Sequence, residues 1–401
     1  MKIRPKPHDK PKDQRRGLLR EKATSYKIVS GTEGDIFQYT SFEVTNFRCF
    51  DYLKIDSFGR VNLITGLNNS GKTTLLEALF LHIGSRNPSL TLIVNSWRGL
   101  NIVSESAENQ WASLFWQFKD SKSIRLVGTS SKGENRSLGI HIDSSGSVLR
   151  GEKAHSDPAE LISGPRQNIV FEYIDETGKT YKVKGVPVFI KKDNMMSYEL
   201  RIEPSLPRAS MAGIFVSGNT VSNLNEEIQR FSDLRKKGKD GIVLAALRII
   251  EPRLERLEIL TYQGLSMIHG YLNGYDEPVP SPLLGDGVRR SLSILLAQGA
   301  AEKGVVLVDE IENGIHHSAM KSLWGVIAEA SRTFDCQVFA TTHSDECIRA
   351  VHDAFKESTS YDLKLYRLDR KNGSIQAVMY DEETLDAALS IPLEVRGWPE
   401  E

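Results

Sequence analysis

Three separated groups of residues have the types and spacing of phosphate chemistry. Gly66-Leu-Asn-Asn-Ser-Gly-Lys-Thr73 has the spacing G-x-x-x-x-G-K-[ST], in which backbone N–H groups left unpaired at a helix start cradle phosphates. Lys72 would neutralise charge developing on a transferred phosphoryl group, and the Thr73 hydroxyl would ligate Mg²⁺. Val305-Val-Leu-Val-Asp-Glu310 runs from apolar residues into two adjacent acids, which repel one another unless something pairs them. Asp309 is suited to hold Mg²⁺ through water, and Glu310 to orient or deprotonate an attacking water. Gln337-Val-Phe-Ala-Thr-Thr-His-Ser344 repeats the design. It places His343 at a strand tip where it could touch a terminal phosphate.

A fourth stretch, Leu283-Leu-Gly-Asp-Gly-Val-Arg-Arg-Ser-Leu292, joins a tight Gly-Asp-Gly turn to two arginines and an apolar helix. Alone it is a turn. The pair His316-His317 with His343 lacks the paired spacing and the cysteine that a zinc site needs. No Gly-x-Ser-x-Gly elbow or Cys/His couple points to covalent catalysis.

These groups need strands that end in loops. Residues 41–65 alternate apolar and polar positions in two runs parted by Ser57-Phe-Gly59, which predicts strand, turn, strand. The second run, VNLIT, suits a buried central strand. Thr74 to Leu81 has apolar residues at helical spacing, so the first motif sits between strand and helix. From Val288 the order is helix to Ala301, strand VVLV, a helix over 319–331, strand QVFATT and a helix from Asp345. That alternation is the form of a parallel α/β sheet. The chain should close with a hairpin turning at Asn372-Gly373 and a short helix. The middle gives a helix around 110–118, strands at IRLVG, LGIHI, NIVFEYI and YKVKGV, then helices over 221–237 and 241–257. No heptads are sustained, so no long coiled coil is expected.

With 401 residues, 40% of them apolar and 26% charged, the chain can bury a substantial core. The net charge of −1 hides a basic arm, since residues 1–27 carry ten Lys/Arg against three Asp/Glu. Such a segment is expected to be a solvated tail or to contact nucleic acid or a partner. Residues 1–38 are read as this arm and 39–395 as one catalytic domain, with a diverged insertion at about 129–282. No apolar run is long enough to span a membrane. Three scattered cysteines suggest neither a disulfide framework nor zinc, which implies a reducing, cytoplasmic setting.

Taken together, NFRCF (46–50), GLNNSGKTTLLEAL (66–79), GDGVRR (285–290), LVDEIENGIHH (307–317) and ATTHSDE (340–346) make the chain resemble the ABC-type ATPases of the RecF/SMC group, most closely the OLD-like branch of bacterial anti-phage systems. The resemblance implies an α/β ATPase head, a mixed sheet flanked by helices. It also implies an ATP- and Mg²⁺-dependent dimer or higher oligomer in which each nucleotide lies between the phosphate loop of one subunit and the signature turn of the other. Carried over by position, the nucleotide would meet Gly66, Asn68, Asn69, Ser70, Gly71, Lys72, Thr73 and Thr74, with Asn68 near the γ-phosphate. From the partner it would meet Gly285, Asp286, Gly287 and Arg290. Thr73 and Asp309 would hold the metal, and Glu310, His343 and Lys72 would carry the catalysis. Glu312 to His316 would cross the dimer interface, and Arg48 would lie near the nucleotide or that interface.

Two departures stand out. The family's common Leu-Ser-Gly-Gly-Gln is replaced by Leu284-Gly-Asp-Gly-Val288, which loses the serine and sets Asp286 near phosphate, where it would be repelled unless it points away or pairs with Arg289 or Arg290. The glutamine that joins the two lobes has no obvious equivalent among Gln110, Gln117 and Gln167. Full-length OLD-type proteins also carry a TOPRIM nuclease domain, for which the roughly 60 residues after His343 leave no room. The expectation is therefore an ATPase controlling a separately encoded effector, a nuclease, in phage defence. The alternative is a RecF-like DNA-binding clamp.

Overall fold

The computed structural model describes residues 25–28, 38–100, 111–144, 160–161, 167–192, 195–205, 211–218 and 224–390. Most of the basic arm and Gln110 lie outside the described residues.

The chain runs β1 (Ser25–Ile28), β2 (Tyr39–Phe47), β3 (Phe50–Ile55), β4 (Val61–Thr65), α1 (Lys72–Ile83) and α2 (Leu90–Trp97). Next come β5 (Ile124–Ser130), β6 (Asn135–Asp143), β7 (Glu160–Leu161), β8 (Asn168–Ile174), β9 (Thr180–Lys192), β10 (Met195–Glu203) and β11 (Gly213–Val216). Helices α3 (Leu224–Lys236) and α4 (Asp240–Ile250) precede a small meander, β12 (Leu254–Tyr262), β13 (Leu265–Leu272) and β14 (Val279–Pro280). The last part is α5 (Asp286–Ala300), β15 (Val305–Val308), α6 (His317–Thr333), β16 (Gln337–Thr341), α7 (Asp345–Lys356), β17 (Leu363–Lys371), β18 (Ser374–Tyr380) and α8 (Glu382–Ser390).

The main sheet has the order β1-β11-β15-β16-β4-β17-β18. Its five inner strands are parallel, and β1 and β18 pair antiparallel at the edges. Every residue of β4, β15 and β16 is buried, which is why their sequences are mostly apolar, with the buried Asn62, Thr65, Gln337 and Thr341 as the polar exceptions. Successive side chains alternate between two cores, as a period of two requires. Val61, Leu63, Ile214, Val216, Val306 and Val308 face the core that holds α3 to α7. Ile64, Phe215, Val305, Leu307 and Phe339 face the core shared with α1 and the second sheet.

That second sheet is antiparallel, β10-β9-β8-β6-β5-β2-β3, with β7 on β9. Helix α1 lies between the two sheets and is buried along Thr74 to Ile83. The result is the mixed α/β architecture expected, and the longest helix among the described residues is the 17-residue α6. None of them is long and apolar enough to cross a membrane.

The middle of the chain is woven into both sheets. Strands β6 and β8 to β10 extend the sheet begun by β2, β3 and β5, and β11 pairs with β15 in the main sheet. Residues 41–65 form three strands, because a turn at Arg48-Cys49 folds β3 back on β2. Asn46 and Arg48 flank it in left-handed conformations without any glycine to announce them. The helix expected over 241–257 stops at Ile250, because Pro252 cannot continue it and disfavours helical geometry before it. In place of a helix near 110–118 there are short 3₁₀ turns, with Gln117 and Phe118 left-handed.

Candidate active site

The phosphate-loop motif leaves the buried end of β4 and enters α1 at Lys72. Gly71 has φ 95, and a Cβ there would lie 2.7 Å from the Phe50 ring, so the tight approach of β3 admits only glycine. Asn68 and Asn69 are exposed on the loop, and Asn69 is left-handed. Ser70 Oγ is buried with no hydrogen-bond partner. An orphaned hydroxyl inside a ring of loop residues is a fit for an oxygen-rich ligand such as a phosphate. Lys72 Nζ donates to the carbonyls of Gly66 at 2.8 Å and Leu67 at 3.0 Å. Burial pushes its amine below the ordinary value, and Asp309, Glu312 and Glu310 oppose that shift.

The sheet order brings the other motifs to this loop, since β16 lies between β4 and β15. All three strands are parallel, so their loops open at one edge. Thr73 Oγ1 lies 3.0 and 3.1 Å from the two carboxylate oxygens of Asp309, across 236 residues of chain. Thr341 Oγ1, from the tip of β16, donates to the same carboxylate at 2.6 Å. Burial pushes Asp309 above its ordinary value, against the hydroxyls of Thr341 and Thr73 that stabilise its ionised form. A hydroxyl beside a desolvated carboxylate is the oxygen donor set that suits Mg²⁺.

Glu310 follows in a left-handed conformation, φ 46, which costs a non-glycine residue energy and concentrates at functional sites. Its backbone N–H donates to Thr341 Oγ1 at 2.8 Å, and Asn313 Nδ2 donates to its Oε2 at 2.7 Å. Gly218, just past β11, packs so closely that a Cβ there would come within 2.7 Å of Glu310 Cβ. Glu310 is thus held at its backbone by Thr341 and at its carboxylate by Asn313, with Gly218 packed behind it. His343 lies 51% exposed past β16, its Nδ1 3.1 Å from Glu312 Oε1.

The signature turn occupies a different place. Gly285 to Gly287 starts α5, with Asp286 in the first turn, where the helix dipole favours an acid. Asp286 packs against Gly314, 3.3 Å from where a Cβ there would lie, and no ion pair joins it to Arg289 or Arg290 among the described residues. Arg290 turns inward, in contrast to the expectation that it binds nucleotide from the turn. It donates to the carbonyls of Ser217 at 2.6 Å and Asp309 at 2.8 Å, bracing its own acid loop. Burial lowers its guanidinium pKa to about 10, opposed by Asp309, Glu312 and Glu310. Arg289 has no side-chain hydrogen bond or ion pair among the described residues.

Arg48 likewise serves the fold. It pairs at 2.9 Å with the fully buried Glu77 of α1, which also binds Arg98 at 2.8 Å. Arg98 continues to the Thr74 hydroxyl at 3.1 Å, tying α2 to the phosphate loop. The candidate glutamines are elsewhere: Gln117 is exposed in its 3₁₀ turn and Gln167 sits beside Trp111. The chain leaves the antiparallel sheet after β10 and enters the main sheet at β11, and the described residues 211–218 there contain no glutamine. Thr341, Asn313 and Gly218 were not legible as site residues. Only the paired threonines before His343 carried a hint.

An "AAA domain" family model matches residues 41–260, which includes the phosphate loop. A second, described as "AAA domain, putative AbiEii toxin, Type IV TA system", matches residues 197–349 and so takes in the acid loop and His343. An "ATP/GTP phosphatase" of Helicobacter pylori is 25% identical over 369 residues, covering 86% of this chain and 96% of that protein. An uncharacterised protein of Methanocaldococcus jannaschii is 22% identical over 116 residues, 26% of this chain and 53% of its own length. Among solved structures, an SMC head bound to the C-terminal winged-helix domain of ScpA aligns with 13% identity and TM-score 0.43, covering 88% of this chain and 99% of that one. The SMC head domain from Thermotoga maritima aligns with 12% identity and TM-score 0.38, covering 86% and 99%. Because the first model spans more than half of the chain and holds its phosphate loop, the protein belongs to the AAA-domain family and is an ATPase.

Proposed function

We propose that the ATPase closes as a dimer on ATP and Mg²⁺, and that this closure controls a separately encoded effector, a nuclease, in anti-phage defence. The carrying observation is the meeting of Thr73 with Asp309 beside the locked Glu310. Mg²⁺, when bound, would neutralise the charge of the terminal phosphates. The chain's own groups do the rest. Loop amides and Lys72 would bind the phosphates, Thr73 and Asp309 would hold the metal, Glu310 would take a proton from the attacking water, and His343 would contact the terminal phosphate.

An offset supports the dimer. Helix α5 packs on the β11 and β15 side of the main sheet, while the phosphate loop leaves β4, two to three strands away. At about 4.8 Å per strand that is on the order of 10–14 Å, beyond the reach of a hydrogen bond. A second copy would place its own turn, with the uncommitted Arg289, over this loop. The toxin-system description of the model covering residues 197–349 favours a defence setting. The test is molecular mass by light scattering with and without ATP and Mg²⁺, for wild type, Lys72→Ala and Arg289→Ala. An ATP-dependent doubling lost in both variants supports the reading. A monomer under every condition removes it.

A further inference from the structure

A third acid stands in the site, to which the hydrolysis steps give no task. Glu312 Oε1 accepts from the backbone N–H of His343 at 2.8 Å and lies 3.1 Å from its ring Nδ1, within ion-pair range of a protonated ring. The Glu312 side chain is 10% exposed, and its other oxygen, Oε2, is buried with no hydrogen-bond partner. A buried, half-satisfied carboxylate costs stability, so a merely structural contact is a poor explanation. Nor is Glu312 needed to start α7. Ser344 already caps that helix by accepting from Cys347 N at 3.2 Å, and Thr342 Oγ1 accepts from Ser344 N at 3.1 Å.

We infer that Glu312 is a positioning residue: by binding the His343 backbone N–H and setting its carboxylate beside Nδ1, it fixes the ring against the acid loop and presents the Nε2 edge to the terminal phosphate. Two motifs 31 residues apart are thereby held in register. A carboxylate 3.1 Å from Nδ1 favours a proton on that nitrogen and so leaves Nε2 for the phosphate. This inference rests on the proposed role of His343 in ATP hydrolysis.

The test is a double-mutant cycle on the full chain, with Glu312→Ala, His343→Ala and both together, and Glu312→Gln as the conservative variant. The readouts are kcat, KM for ATP, Kd for a fluorescent ATP analogue, and Tm. The expected result is a fall of about 10–100-fold in kcat for Glu312→Ala, with Kd unchanged and Tm not lowered because a half-satisfied buried carboxylate is removed. The double variant should be no worse than His343→Ala alone, and Glu312→Gln, which can still accept from Nδ1–H, should recover part of the rate. Multiplying effects, a wild-type kcat in Glu312→Ala, or a parallel loss of Kd and Tm would each overturn the inference. A normal rate in His343→Ala would instead strike the role of His343 itself, so the two failures are separable.

Discussion

Gly218 is the position where a single added methyl should separate chemistry from binding. A Cβ there would meet Glu310 Cβ at 2.7 Å, and Asp309 O and Glu310 Oε2 at 2.9 Å. Restoring ordinary contact, which begins at 3.4 Å, requires Glu310 to retreat by about 0.7 Å. Glu310 has little latitude, since its left-handed backbone is fixed by Thr341 and its carboxylate by Asn313. A misplacement near 1 Å in a positioned catalytic group costs about 100-fold in rate. Gly218→Ala should therefore lower kcat by about 10–100-fold while the phosphate loop, on β4, keeps its ATP affinity. Steady-state phosphate release and titration of a fluorescent ATP analogue measure the two quantities. An unchanged kcat would refute the assignment of Glu310 to the water-activating role, and so would ATP affinity falling as far as the rate.

Other predictions concern the scaffold. Glu77 is fully buried between Arg48 and Arg98, so Glu77→Ala should destabilise the protein by about 3–5 kcal/mol in urea unfolding. Adding Arg48→Met should recover part of that, and no recovery would mean the loss comes from packing alone. His82 is buried against Tyr39, and burial lowers its pKa to about 4 from 6.5. The unfolded chain takes up this proton first, so the stability present above pH 6.5 is lost as pH falls toward 4, about 3 kcal/mol from this group. His82→Asn should flatten that acid limb; an identical slope would assign the loss to other groups.

The chemistry was legible where backbone demands left residue types behind. The strand-end acids, the Gly-Lys-Thr loop and the buried runs VNLIT and VVLV all announce themselves by composition. What stayed hidden depends on contacts between distant segments. Nothing in GIFV-Ser217-Gly218 says that it lines the acid loop, because that follows from β11 pairing with β15, some 92 residues onward. Arg290 was assigned by its place in a motif, whereas its burial against Ser217 and Asp309 is decided by packing of α5. The Arg48-Cys49 turn escaped notice because its left-handed residues are not glycines.

Glu310→Gln is the most direct test, since the amide preserves shape and can still accept from Asn313, now 2.7 Å from Oε2. Phosphate release should fall by about 100-fold or more, as expected when a general base is removed, with ATP binding retained. Equal rates in wild type and Glu310→Gln would show that the locked carboxylate at the end of β15 does not activate water.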